Sequence, residues 1–362
     1  MVGPDVGAAA ARQHPDMLAY RLTDWQQPPQ LREVPVPDPG PGEVLVKVGG
    51  AGACHSDLHV MDWPEGTLPF ELPFTLGHEN AGWVEALGAG VDGVATGDAV
   101  AIYGPWGCGH CRACRLSREN YCEHQAEIPA FGGGLGRDGG MAEYVLVPSS
   151  RLLIPLGDLD PRDAAPLTDA GLTPYHAIKR SLHLLHPGST AVMIGVGGLG
   201  HLGVQMLRTL SPARVVAVDT ATDKLELARA VGADASFEPG DDTAGEIREL
   251  TGGAGAQLVI DMVGSDETLA LGAQLVALES HFTVVGLAGG TLGYGWTALP
   301  WEAQLTTTYW GSAVELTEVL ELARAGRIHA HSERFGLDRV EDAYARLREG
   351  SLSGRAVVCP HG

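Results

Sequence analysis

The chain has no run of about 18 apolar residues, the length a helix needs to cross a bilayer, so no membrane span is expected. Its first residues show no basic patch followed by an apolar stretch, so no secretory leader is expected either. Basic residues are scarce: 24 Lys and Arg stand against 45 Asp and Glu, a formal net charge of −21. Neutralising phosphates needs clustered cations, so this balance argues against nucleic acid and against an anionic membrane surface. Cysteine is sparse too, six in 362 residues, with four of them inside the stretch 108–122. A disulfide framework is not expected in so large a chain. The expected compartment is the cytoplasm, where thiols stay reduced.

Glycine, by contrast, is abundant, 50 of 362 residues, which points to many turns and to at least one close backbone approach to a ligand. The length suggests two domains. Residues 1–16 are rich in Ala, Gly and Pro and read as a disordered extension, with Met17 as an alternative start. From Leu18 to Val147 the texture is short strands and Pro or Gly turns, interrupted by a loop-like, Cys- and Gly-rich stretch over 104–140. Near residue 165 the texture changes to alternating strands and helices, the pattern of a parallel sheet with crossover helices. Expected strands are Thr190–Ile194, Arg214–Val218, Gln257–Ile260 and His281–Val285. Expected helices include Leu199–Leu210, Asp223–Val231, Thr243–Leu250 and Ser265–Leu278.

Three motifs carry chemistry. The first is Cys54-His55-Ser56-Asp57-Leu58-His59, poor core material because each polar group would need a buried partner. Thiolate and imidazole are ligands that zinc prefers, and Cys54 with His78 makes the start of a catalytic site. Taken alone, a structural cysteine is the alternative. The second is Cys108-x2-Cys111-x2-Cys114-x7-Cys122, four thiolates able to close a tetrahedral zinc site with no open position. An iron–sulfur cluster is the competing reading. The third is G-x-G-x-x-G at Gly195, Gly197 and Gly200, with Gly198 and Leu199 between, directly after an expected strand and opening an expected helix. Gly195 would permit the tight turn, Gly197 the approach of a pyrophosphate, and Gly200 the packing of helix on strand. The helix N-terminus favours negative charge.

Asp219, 19 residues beyond Gly200, stands where a carboxylate would hydrogen-bond the adenosine ribose, and a helix cap is the alternative. A 2′-phosphate beside it would meet repulsion on the order of 4 kcal/mol per unit charge at an effective dielectric of about 20. No Arg follows at 220–223, so NAD is expected over NADP, with Lys224 placed to reach the same ribose.

Together these stretches resemble the zinc-dependent, medium-chain alcohol dehydrogenases from about Leu18 to Pro360, most of all the bacterial NAD-dependent secondary alcohol dehydrogenases. The resemblance implies an α/β fold: a Rossmann doubly wound parallel sheet and a GroES-like β-rich catalytic domain, with the active site between them. It implies domains over 17–168, with 313–362 returning to the first, and 169–312. Two zinc ions per subunit are implied. One is catalytic, on Cys54, His78 and Asp169, with Glu79 as rival for the third position. The other is structural, on Cys108, Cys111, Cys114 and Cys122. Asp57 resembles the carboxylate that fixes a ligand imidazole. His55 and Arg355 resemble residues that touch the cofactor pyrophosphate. In the implied reaction Ser56 accepts the alcohol proton and relays it to His59, giving a ketone or aldehyde and NADH.

Trp63, Phe70, Leu135, Tyr309 and Trp310 are expected, by position in similar enzymes, to line an apolar pocket suited to hydrophobic secondary or arylalkyl alcohols. A polyol or aldehyde dehydrogenase of the same superfamily is the alternative enzyme. A non-enzymatic NAD-binding protein is the alternative outside catalysis. The strand near His281–Gly286 is expected to pair with its copy in a homodimer or homotetramer.

Overall fold

The computed structural model describes residues 16–128 and 130–362. The extension expected over 1–16 lies outside them apart from Asp16, which opens the strand Asp16–Leu22. Val44–Ala53 is the organising strand of the first half. It pairs with Glu79–Leu87 on one side and with Arg355–Cys359 and Tyr144–Val147 on the other. The sheet continues through Ala99–Ile102 to Leu153–Pro155 at one end and to Ser332–Gly336 at the other. The sequence shows only weak alternation here because nearly every residue of Val44–Ala53 is buried, whichever face it points to. A strand covered on both faces reads as a continuous apolar run rather than in-out. A smaller antiparallel sheet, Gln30–Pro35, Asp16–Leu22 and Phe74–Thr75, stands beside it.

The second half is a parallel sheet of six strands. In spatial order they are Ala235–Phe237, Arg214–Val218, Thr190–Ile194, Ala256–Asp261, Val276–Val284 and Gln304–Thr307. Numbered along the chain this is 3-2-1-4-5-6, the doubly wound dinucleotide-binding order. Val192, Ile194, Val216, Val218, Val259 and Phe282 form its buried centre on one face. Each such side chain contributes roughly 1.5–3 kcal/mol by leaving water.

Thr190–Ile194 and Arg214–Val218 fall where the apolar runs place them. The expected helix Ser265–Leu278 stops at Leu275, and Val276 starts a strand. Val-Ala-Leu is as good a buried strand as a helical turn, and periodicity alone does not separate the two. The strand near His281–Gly286 is not an edge. Gln304–Thr307 covers its outer side, so Gln304–Thr307 is the edge strand at that end of the sheet and Ala235–Phe237 the edge at the other. Two helices carry no strong pattern in the sequence, His55–Asp62 and Leu172–Lys179. Both begin beside polar residues that serve the site.

Candidate active site

Three chain segments converge behind the cleft. Cys54 follows the last residue of Val44–Ala53, His78 precedes Glu79–Leu87, and Asp169 ends the turn before Leu172–Lys179. Cys54 Sγ lies 3.9 Å from Asp169 Oδ2, and His78 Nε2 lies 3.5 Å from the same oxygen. Ligand atoms of a tetrahedral zinc with thiolate, imidazole and carboxylate donors stand roughly 3.5 Å apart. The donor chemistry and the spacing therefore fit zinc.

Each donor is held in turn. His78 Nδ1 donates to Asp57 Oδ1 at 2.9 Å, which leaves Nε2 facing Asp169. Asp57 is fully buried and takes two further hydrogen bonds, from the Cys54 backbone N–H at 3.0 Å and from the Tyr344 hydroxyl at 2.9 Å. Burial, then the neighbouring Asp57 carboxylate, pushes the Tyr344 phenol well above its usual range, so it stays a donor. Asp169 Oδ1 accepts from Thr173 Oγ1 at 2.7 Å, which turns Oδ2 toward Cys54 and His78. Glu79 also brings a carboxylate oxygen within 4.8 Å of these donor atoms, and both of its oxygens are engaged by other partners. Arg355 Nε donates to Oε2 at 2.9 Å, Arg355 Nη2 pairs with Oε1, and Ala170 N–H donates to Oε1 at 3.1 Å. Burial pushes Glu79 up to about 7 against the pull of Arg355.

The glycine turn closes the other side. Gly195 has φ +86, a conformation that only glycine adopts freely. A Cβ on Gly200 would lie 1.9 Å from the Gly195 carbonyl oxygen, so the turn itself, more than helix-on-strand packing, demands glycine there. A Cβ on Gly197 would meet nothing within 4 Å, leaving that face free for a ligand. A Cβ on Gly198 would stand 2.6 Å from Arg355 Nη1, so Arg355 reaches from the Glu79 pair to the turn. Asp219 Oδ2 accepts the Val196 N–H at 2.7 Å and Oδ1 the Ala221 N–H at 3.0 Å, which locks its carboxylate beside the turn.

One cleft of about 510 Å³ joins these groups. Cys54, His55, Ser56, His59, His78 and Asp169 line it on one side; Gly195, Gly197, Gly198, Leu199, Gly200, Asp219, Lys224 and Arg355 line the other. Ser56 Oγ lies 3.7 Å from Cys54 Sγ. His59 Nδ1 is buried with no partner, and burial lowers the imidazole pKa. His55 stands on the exposed lip, its pKa lowered by the cleft walls and then by Arg355. Leu135, Tyr309 and Trp310 border the cleft. Trp63 and Phe70 do not. Trp63 stacks on the outer side of His59 at 5.7 Å, and Phe70 packs into the core against Phe74 and Phe131. A wider groove of about 910 Å³ on the outer face, beside Met17, Arg32 and Tyr144, holds none of these donors.

Away from the cleft, the sulfurs of Cys108, Cys111, Cys114 and Cys122 lie within 4.8 Å of one another, and all four thiols are free of disulfides. Backbone N–H groups of Cys108 and Cys111 point at Cys122 Sγ and Cys108 Sγ, both at 3.3 Å. Donors aimed at sulfur favour thiolates, and four thiolates around one point fit a closed zinc site.

A glycine turn at a strand-order reversal, facing a buried mixed-donor set across one cleft, defines a metal-dependent oxidoreductase that works with a dinucleotide. Residues 40–158 match the alcohol dehydrogenase GroES-like domain, and residues 198–325 match the zinc-binding dehydrogenase domain. The chain belongs to the zinc-dependent medium-chain alcohol dehydrogenase family, with NAD and two zinc sites as its cofactor set. It is 35% identical to a NAD-dependent alcohol dehydrogenase of Sulfurisphaera tokodaii, over 95% of this chain and 100% of that one. It is 36% identical to a D-arabinose 1-dehydrogenase (NADP(+)) of Saccharolobus solfataricus, over 94% and 97%. The structure of acetophenone reductase from Geotrichum candidum in complex with NAD superposes with a TM-score of 0.83 at 31% identity, covering 96% of this chain and 98% of that one.

Two residues at the site escape sequence reasoning. Thr173 stands four positions after Asp169, a helical spacing that signals contact once the helix Leu172–Lys179 is recognised. Tyr344 reaches Asp57 from 287 positions away, and no local pattern points to it.

Proposed function

We propose that the protein oxidises hydrophobic secondary or arylalkyl alcohols with NAD, and reduces the matching ketones with NADH. The observation that carries this reading is that the Cys54–His78–Asp169 donors, the glycine turn and Asp219 border one cleft. Cys54, His78 and Asp169 would hold the catalytic zinc, and the four clustered cysteines the structural one. When bound, zinc supplies Lewis acidity at the substrate oxygen and the nicotinamide supplies the hydride acceptor. Ser56 Oγ, at the mouth of the donor set, takes the hydroxyl proton. His59 lies one helical turn further on and is its destination. Burial keeps that imidazole neutral near pH 7 and so ready to accept. Asp57 and Tyr344 orient His78, and Glu79 anchors Arg355, whose Nη1 beside Gly198 would hold the cofactor pyrophosphate together with His55.

NAD is favoured because Asp219 is locked beside the turn, with Lys224 on the same wall. Apolar substrates are favoured because Leu135, Tyr309 and Trp310 flank the donor set. The sugar-oxidising relative motivates the polyol alternative, and that aromatic wall weighs against it. The domains are taken to divide at 168/169 and 312/313, the compartment to be the cytoplasm, and the assembly a dimer or tetramer through Gln304–Thr307. NADH formation on 1-phenylethanol and 2-octanol, compared with sorbitol and threitol, tests the substrate class. Turnover confined to the polyols refutes it.

A further inference from the structure

Tyr309 and Trp310 stand on the loop between Gln304–Thr307 and the helix Ala313–Arg324. Trp310 has φ +51, a left-handed conformation that a bulky residue keeps only where its surroundings impose it. Its ring meets His78 edge-on, with centroids 5.7 Å apart. Residues 103–122, the segment that carries the four clustered cysteines, hold this loop by three hydrogen bonds. The Tyr103 hydroxyl donates to the Gly311 carbonyl at 2.6 Å, Asn120 Nδ2 to the Tyr309 carbonyl at 3.0 Å, and the Ala313 N–H to the Ser117 carbonyl at 3.0 Å. Ser117 has φ +56, so both sides of the joint carry a left-handed non-glycine residue. Asn120 is buried and lies between Cys114 and Cys122. Below the joint, Tyr121 meets His176 Nε2 and His176 Nδ1 meets Glu315, each at 2.9 Å.

We infer that the four-cysteine lobe is the template for the substrate wall, and that Asn120 is the positioning residue that sets Tyr309 and Trp310 against bulky apolar substituents. This rests on the alcohol-oxidising reading above. Among the described residues the apolar cluster of the lobe is its own cysteines, Ala113 and Ile128, so an ion gripped by the four sulfurs would set its shape. The three hydrogen bonds pass that rigidity to the loop, and the strained φ angles at Ser117 and Trp310 are the local cost.

The test uses the holoenzyme and the variants Asn120→Ala and Asn120→Asp, the second nearly isosteric, each checked by elemental analysis for two zinc per chain. Losing one buried hydrogen bond should raise KM for 1-phenylethanol about five- to tenfold, while KM for NAD and turnover of 2-propanol stay within about twofold. Hydrogen-exchange mass spectrometry should show lost protection across 310–313, where the Ala313 amide bonds Ser117. Proportional losses on small and bulky alcohols, or unchanged protection of that segment, overturn the inference. A wild-type protein inactive on every alcohol overturns the functional reading instead, and the exchange result then decides the joint by itself.

Discussion

Replacing Asp219 by Asn should relax the cofactor preference. The substitution keeps the side-chain shape and one acceptor for the Val196 and Ala221 N–H groups, but removes the charge. A unit charge about 4 Å from a carboxylate is repelled by on the order of 4 kcal/mol at an effective dielectric near 20. Asp219 is only half-buried, so solvent and salt reduce this to about 2 kcal/mol for a bound 2′-phosphate. With NAD, the lost charge-assisted bond to the ribose costs about another 2 kcal/mol. The two effects act in opposite directions on the two cofactors, so the NAD/NADP ratio of kcat/KM should fall by about 10³-fold. Initial rates with both cofactors on one alcohol give the ratio, and calorimetric titration separates binding from turnover. A ratio within about threefold of wild type, at unchanged Tm, refutes the argument, because a difference that small lies under about 1 kcal/mol.

Cys54→Ala should leave one zinc per chain, lower kcat by at least about 10³-fold and leave NAD affinity unchanged, because it removes a metal donor but no dinucleotide contact; full activity in that variant would mean the donor set is not catalytic. Asp57→Asn offers an amide N–H where a buried carboxylate now accepts three hydrogen bonds, so competition with a chelator should read zinc affinity weakened about 10- to 100-fold. Unchanged affinity would detach Asp57 from the metal. His176 and Ser312 outweigh burial and hold Glu315 down at about 2, below its ordinary 4.5, so its contribution is complete above about pH 4.5 and disappears as pH falls through about 2. Discounted for solvent screening of a partly exposed group, that component is on the order of 1–2 kcal/mol. Denaturant midpoints at pH 5 and pH 3 should therefore diverge less in Glu315→Gln than in wild type, and parallel losses would count against the linkage.

Much of this architecture is legible in the sequence, for physical reasons that differ between elements. The glycine turn is readable because sterics confine those positions: a Cβ at Gly200 has no room beside the Gly195 carbonyl. The cysteine cluster is readable because four thiolates so close together have few uses. Cys54, His78 and Asp169 are scattered, and only likeness to a family joins them before the fold brings them together. Trp63 and Phe70 show the limit of that likeness, since position along the chain does not say whether an aromatic faces a cleft or a core. The strand Gln304–Thr307 is nearly invisible, four residues with two threonines and no alternation, and missing it misplaced the sheet edge. Long-range partners such as Tyr344 have no local signal at all.

The strand Arg355–Cys359 lies antiparallel beside Val44–Ala53, so the first sheet is completed by residues that follow the whole parallel sheet along the chain. A ribosome-bound nascent chain can fold the parallel sheet as it emerges, whereas the half bearing Cys54 and His78 must wait with an open flank until Arg355–Cys359 follows. Emergence of Arg355–Cys359, rather than translation of the ligands, then times the assembly of the donor set, and a stop codon just before Arg355 would leave that flank open for good.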